Sequence, residues 1–169
     1  MPQKESILLF GEGKSDAVFL KHLCALYHED LKGTRIKIDA GRGGSPRQIL
    51  SQLVNRHLRL GNFDRALLLL DEDLGRDQLP MGIEVVNSSP GCLEGMLLKL
   101  LGAELTNKER HSSARLKRKF RKEYLQTDRD AEIVRKFKFG CPKLFPRERL
   151  DEKRAKIGEL DVILSFLRL

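Results

Sequence analysis

Tryptophan is absent from this chain, other aromatics are few, the cysteines stand singly, and no apolar run approaches membrane length. Each shortage excludes something. With aromatics at 6% of 169 residues, the core must rest on Leu, Ile, Val and Ala. Cys24, Cys92 and Cys141 are odd in number and never form a Cys-x-x-Cys pair. They read as reduced, buried thiols of a cytoplasmic protein. A membrane span takes about 18 consecutive apolar residues; the longest run here is residues 66–70. The opening Met1-Pro2-Gln3-Lys4-Glu5-Ser6 and the Ile7-Leu8-Leu9-Phe10 that follow lack the apolar length of a secretory signal. Internal repeats and low-complexity linkers are also missing.

What is present suits a soluble globular chain: 40% hydrophobic and 33% charged residues. A chain near 150 residues hides roughly 70% of its unfolded surface, enough for a real core. The net charge of +8 is unevenly spread. Residues 108–156 hold 18 Lys or Arg against 8 Asp or Glu, while the remainder holds 14 against 16. A near-neutral body with a strongly basic segment favours a polyanionic partner, nucleic acid most simply, because neutralising phosphates releases counterions. A solvated basic face without a partner is the rival.

The first hundred residues alternate strand and helix patterns. Ile7-Leu8-Leu9-Phe10 and residues 66–70 are continuous apolar runs, expected of strands buried on both faces. Residues 35–39 and 82–86 read as two further strands. Helices are predicted after Ser15, through Val18, Phe19, Leu23 and Leu26; after Ser45-Pro46, through Ile49, Leu50, Leu53, Val54 and Leu58; and after Ser88-Ser89-Pro90, through Leu93, Met96, Leu97, Leu100 and Leu101. The pattern implies an α/β fold with a mostly parallel sheet of about four strands flanked by helices. Beyond Thr106, Leu116, Phe120 and Tyr124 form a narrow apolar stripe on a basic helix. Gly140-Cys141-Pro142 and Pro146 are expected to punctuate a loop. A last helix repeats Ile157, Leu160, Ile163, Leu164 and Leu167. The expected division is an α/β part over residues 1–104 and a basic helical extension over 105–169, packed on it.

Carboxylates gather where such a sheet binds ligands. Glu12 follows the first strand, while Asp71 and Asp73 follow the third; open parallel sheets collect ligands outside the carboxyl ends of their strands. If the two strands are neighbours, three negative charges meet at one edge, and a hard cation, Mg²⁺ or Mn²⁺, relieves them. Surface acids that merely end strands are the alternative. Gly41-Arg42-Gly43-Gly44-Ser45 precedes a helix and offers backbone N–H groups plus Arg42 to a phosphate, or is a simple flexible turn. Neither nucleotide loop fits: a Walker A motif would need Gly at Leu8, and a dinucleotide motif would need Gly at Asp16. His22, His28, His57 and His111 have no ligand spacing and read as structural or surface residues. Cys92 reads as a buried structural thiol; Tyr27 lies in the first helix and Tyr124 on the packing stripe, which argues against a topoisomerase-like covalent step. The basic residues Arg115, Lys117, Arg118, Lys119, Arg121 and Lys122 surround the Leu116–Phe120 stripe and suit phosphate contacts without sequence readout. Phe137 and Phe139 are the only candidates there for stacking on bases, and either could equally be core.

The stretch Gly11-Glu12-Gly13-Lys14-Ser15-Asp16-Ala17-Val18-Phe19-Leu20 resembles the opening motif of the TOPRIM fold, the metal-binding domain of topoisomerases, primases and several nucleases. Leu67 to Leu70 followed by Asp71-Glu72-Asp73 resembles its Asp-x-Asp motif. Gly41 to Pro46, and Ser88-Ser89-Pro90-Gly91-Cys92-Leu93-Glu94 with Leu97-Leu98, are similar to the RloB-like proteins associated with phage resistance. The resemblance covers roughly residues 7–101. It implies a TOPRIM-like fold, with Glu12 as general acid/base or metal ligand, Asp71 and Asp73 binding Mg²⁺, and a role near the site for Glu94. Glu94 could equally be a helix N-terminal charge.

Two functions from different classes follow as expectations. One is a Mg²⁺-dependent nuclease acting on DNA or RNA in phage defence, with Lys14, Arg42, Gly43, Gly44, Ser45 and the basic residues Arg115, Arg118, Lys119, Arg121 and Lys122 holding the strand. The other is a non-catalytic nucleic-acid-binding subunit of a defence complex with a larger protein partner. A docking surface for an acidic protein is a third reading of the basic arm.

Overall fold

In a computed structural model, residues 4–61, 63–71, 79–80 and 82–169 are described. Four strands, β1 (Ser6–Gly11), β2 (Arg35–Ala40), β3 (Arg65–Leu70) and β4 (Ile83–Asn87), form one sheet in the order β2-β1-β3-β4. All three pairings are parallel. The apolar runs occupy the centre, as burial on both faces requires: every residue of β1 is buried, as are Ala66 to Leu70 of β3. The edge strands alternate instead, Ile36 and Ile38 facing the core between the charges of Arg35, Lys37 and Asp39. Gly82 is a turn residue at φ +83°, so β4 starts one position later than the sequence pattern suggests.

The period of two along the central strands divides the interior. Leu8, Phe10, Ala66, Leu68 and Leu70 face one side and pack under α2 (Pro46–Leu53), through Ile49, Leu50 and Leu53. Ser45 caps that helix and Pro46 opens it, as expected, and a π-helical turn at Val54–Leu58 extends it. Ile7, Leu9, Leu67 and Leu69 face the other side, beneath α1 (Lys14–Leu26) and α3 (Leu93–Leu100).

The same second core takes in the C-terminal helices. These are α4 (Asn107–Arg110), α5 (Ser113–Phe120) with its π-helical continuation Arg121–Leu125, α6 (Asp130–Leu144), α7 (Arg147–Arg154) and α8 (Gly158–Phe166). Leu116 and Phe120 are buried against the body, with Tyr124 half-buried and stacked on Phe120. Gly140-Cys141-Pro142 does not form a loop; these residues lie in the last turns of α6. The buried series Ile133, Phe137 and Cys141 sustains the helix through Pro142, two residues before its end, whose missing N–H forfeits one backbone bond. No helix among the described residues is long and apolar enough to cross a membrane.

Candidate functional site

The strand order places a crevice between β1 and β3. The chain leaves β1 toward β2 on one side, whereas β3 borders β4 on the other, so the connections diverge at the carboxyl ends of the two central strands. Glu12 and Asp71, each one residue beyond its strand, therefore meet. The Glu12 amide donates to the Leu69 carbonyl at 2.9 Å, extending the ladder by one bond. The Asp71 amide in turn donates to Glu12 Oε2 at 2.9 Å. Asp71 Oδ1 accepts from the Leu93 amide at the start of α3, at 3.0 Å, and Oδ2 faces Lys117 Nζ at 3.3 Å. Asp71 thus ties both central strands to α3 and α5.

Two more carboxyls border this cleft of about 340 Å³: Glu94, 7% exposed in the first turn of α3, and Asp16, 6% exposed in the first turn of α1. Asp16 Oδ2 accepts from the Gly13 amide at 2.8 Å, while the buried Oδ1 has no partner among the described residues. Burial above all, reinforced by the charges of Asp71, Glu94 and Glu12 and opposed by the Gly13 amide, pushes the Asp16 pKa up to about 8. At neutral pH it is largely a neutral acid beside carboxylates. Lys117 has the converse setting: burial works to lower its pKa, but Asp71 and Glu94 outweigh this and raise it. Its ammonium is firmly charged.

Of the residues expected at the site, the structure brings Glu12, Asp71, Glu94, Lys14, Gly43 and Arg121 to the same cleft. Asp73 lies outside the described residues. Gly41 explains how Gly43 arrives: a Cβ at Gly41 would lie 2.9 Å from the Glu12 carbonyl oxygen, so the loop leans on the strand end. Gly43 and Gly44 take φ of +80° and +122°. Gln52 fastens the loop, accepting from the Arg42 amide and donating to the Gly43 carbonyl. Ser45 is spent as a helix cap, its hydroxyl accepting from the Gln48 amide and its own amide donating to Gln48 Oε1.

Arg118, Arg121 and Lys122, with Lys117, line a wider groove of about 810 Å³ closed by Gln126, Thr127 and Asp128. Lys117 and Arg121 border both cavities, so groove and cleft adjoin. Arg115 is exposed nearby in sequence but does not line the groove. Lys119 turns elsewhere, to Glu109 at 3.5 Å and Glu123 at 3.3 Å.

The residues set aside as structural are engaged as such. His57 is buried and bonds Asp39 at 2.8 Å, and His22 bonds the Phe145 carbonyl at 2.7 Å. Tyr27 donates to Asp151. All three cysteines are free, Cys24 only half-buried, and burial pushes each thiol up to about 12, so none is a nucleophile at neutral pH. The sequence pattern missed Asp16 and Lys117 as members of the site. Asp16 falls four residues after Glu12, in the first turn of α1; Lys117 is remote from the cleft in sequence, and only the packing of α5 on α3 brings it there.

The carboxyl oxygens that line the cleft, Glu12, Asp16, Asp71 and Glu94, are of the ligand type that a hard divalent cation takes. Among the described residues, no three His, Cys, Asp or Glu side chains stand close enough together to share an ion. The chain matches no protein-family model, and comparison with curated proteins and with solved structures finds no similar protein.

Proposed function

We propose that this chain is a TOPRIM-type, Mg²⁺- or Mn²⁺-dependent phosphoryl-transfer enzyme, a nuclease acting on DNA or RNA, of the kind the RloB-like resemblance links to phage defence. The observation that carries this reading is the convergence of Glu12, Asp71, Glu94 and Asp16 at the mouth of adjacent parallel strands, beside a cationic groove. Asp71 and Glu94, with Asp73 from sequence, are the residues to hold the metal, which when bound supplies Lewis-acid stabilisation of phosphate charge. Glu12, oriented by the Asp71 amide, is the group to take or give a proton at the reacting oxygen. Lys117 and Arg121, on the shared border, bind the phosphates that flank that point.

A second reading has its own support. Lys117 already neutralises Asp71, as suits a retained fold that binds nucleic acid without cutting it and serves a larger partner. Cleavage of labelled single- and double-stranded DNA and RNA in Mg²⁺, Mn²⁺ or EDTA separates the two. The nuclease predicts metal-dependent cutting that falls at least about 100-fold in Glu12→Gln and Asp71→Asn, with binding retained. Salt-sensitive binding without cutting selects the binding subunit, and absence of both overturns each.

A further inference from the structure

The two phenylalanines of α6 have opposite fates. Phe137 is 1% exposed, edge-on to Phe120 and Phe145 in the core. Phe139 is 78% exposed, next to Leu60 the most exposed large apolar side chain among those described. A phenyl ring held in water has no packing reason to be there, and its surroundings are not those of a protein-docking patch. Arg135 lies one turn before it and Lys143 one turn after, about 6 Å of helix rise to either side. Lys138 adjoins it in sequence. All three are exposed, and among the described residues none of the three has an ion-pair or hydrogen-bond partner for its side chain. Phe139 is therefore an aromatic face framed by unspent cations on a 15-residue helix.

We propose that this face of α6 binds single-stranded nucleic acid, Phe139 stacking on an unpaired base while Arg135, Lys138 and Lys143 hold the adjoining phosphates. The chemistry favours a single strand, because a duplex keeps its base faces stacked inside and offers an exposed ring nothing but backbone. Cations alone would bind either form; the ring makes the distinction. The inference rests on the nucleic-acid half of the proposed function and not on its metal chemistry, so it is tested in EDTA.

The experiment is fluorescence anisotropy with a labelled single-stranded oligonucleotide and its duplex, for wild type, Phe139→Ala, Phe139→Leu, Phe139→Trp and the Arg135→Gln/Lys143→Gln double variant. Phe139→Ala is expected to weaken single-strand binding between about fivefold and a hundredfold, with duplex binding unchanged. Phe139→Trp preserves binding and Phe139→Leu does not. The double variant lowers the log–log salt slope for the single strand by about 1.4. All these residues are exposed, so the substitutions leave the core intact, and matched melting temperatures verify it. Equal loss on both forms, or full activity of Phe139→Leu, overturns the stacking role while leaving nucleic-acid binding intact. Failure of wild type to bind any nucleic acid at low salt overturns the wider reading as well.

Discussion

Asp16 is the residue whose chemistry the fold alters most. Its carboxyl ordinarily titrates near 3.8, and in the folded chain it holds its proton to about 8. Between those values the folded state binds more protons than the unfolded one. The stability tied to this group is therefore complete below about pH 4 and is lost as pH rises toward 8. Asn at this position keeps an oxygen for the Gly13 amide and carries no charge at any pH. Wild type should accordingly lose stability relative to Asp16→Asn between pH 5 and pH 8, by an amount on the order of 3–4 kcal/mol, in urea unfolding of metal-free protein. A difference that stays constant with pH would mean that Asp16 is already ionised when folded. The raised pKa also gives the cleft a proton to release: a divalent cation that draws in Asp16 must displace it.

Among the elements, α3 does most to assemble the site, since its first amide holds Asp71 and its first turn carries Glu94. It can sit so close to the preceding loop only because residue 95 is glycine: a Cβ there would stand 1.9 Å from the Pro90 carbonyl oxygen and 3.1 Å from Leu116 Cδ1. Gly95→Ala should cost at least about 2 kcal/mol and loosen Asp71 with it. Gly158→Ala, at the start of α8 where nothing lies within 4 Å of a Cβ, should be neutral or stabilising by about 0.5 kcal/mol. Thermal melts of the two variants check the contrast, and equal effects would mean that α3 can shift. Sequence periodicity made β1, β3 and the Ser45-Pro46 start of α2 legible because each is decided locally, by an apolar run or a cap. The course of α6 through Pro142 was not legible, since punctuation residues suggest a break while the packing of Ile133, Phe137 and Cys141 carries the helix on. The meeting of Glu12 with Asp71 needed only the inference that two apolar strands are neighbours. Lys117 required knowing that the Leu116–Phe120 stripe of α5 packs on α3, a long-range pairing that no local pattern encodes.

For the whole molecule, the question is where the basic surplus goes once the chain is folded. Cations crowd α5 and its continuation, but they divide by face: Lys117, Arg118, Arg121 and Lys122 line the groove, Lys117 facing Asp71 and Arg121 facing Asp130, whereas Lys119 lies off it against Glu109 and Glu123. Net charge alone would make these lysines and arginines equivalent; the fold makes them unequal. A polyanion laid in the groove reaches the first set and not Lys119, and each phosphate it neutralises contributes to the salt dependence of binding. Arg118→Ala together with Lys122→Ala should therefore weaken nucleic-acid binding and lower its log–log salt slope by about 1.4 for a single strand and 1.8 for a duplex. Lys119→Ala, an equal step in charge per residue, should leave the slope unchanged. Binding isotherms across a salt series decide between a sited groove and a diffuse field: if Lys119→Ala lowers the slope as much as either groove substitution does, the attraction belongs to the charge of the molecule and not to the path that leads into the cleft.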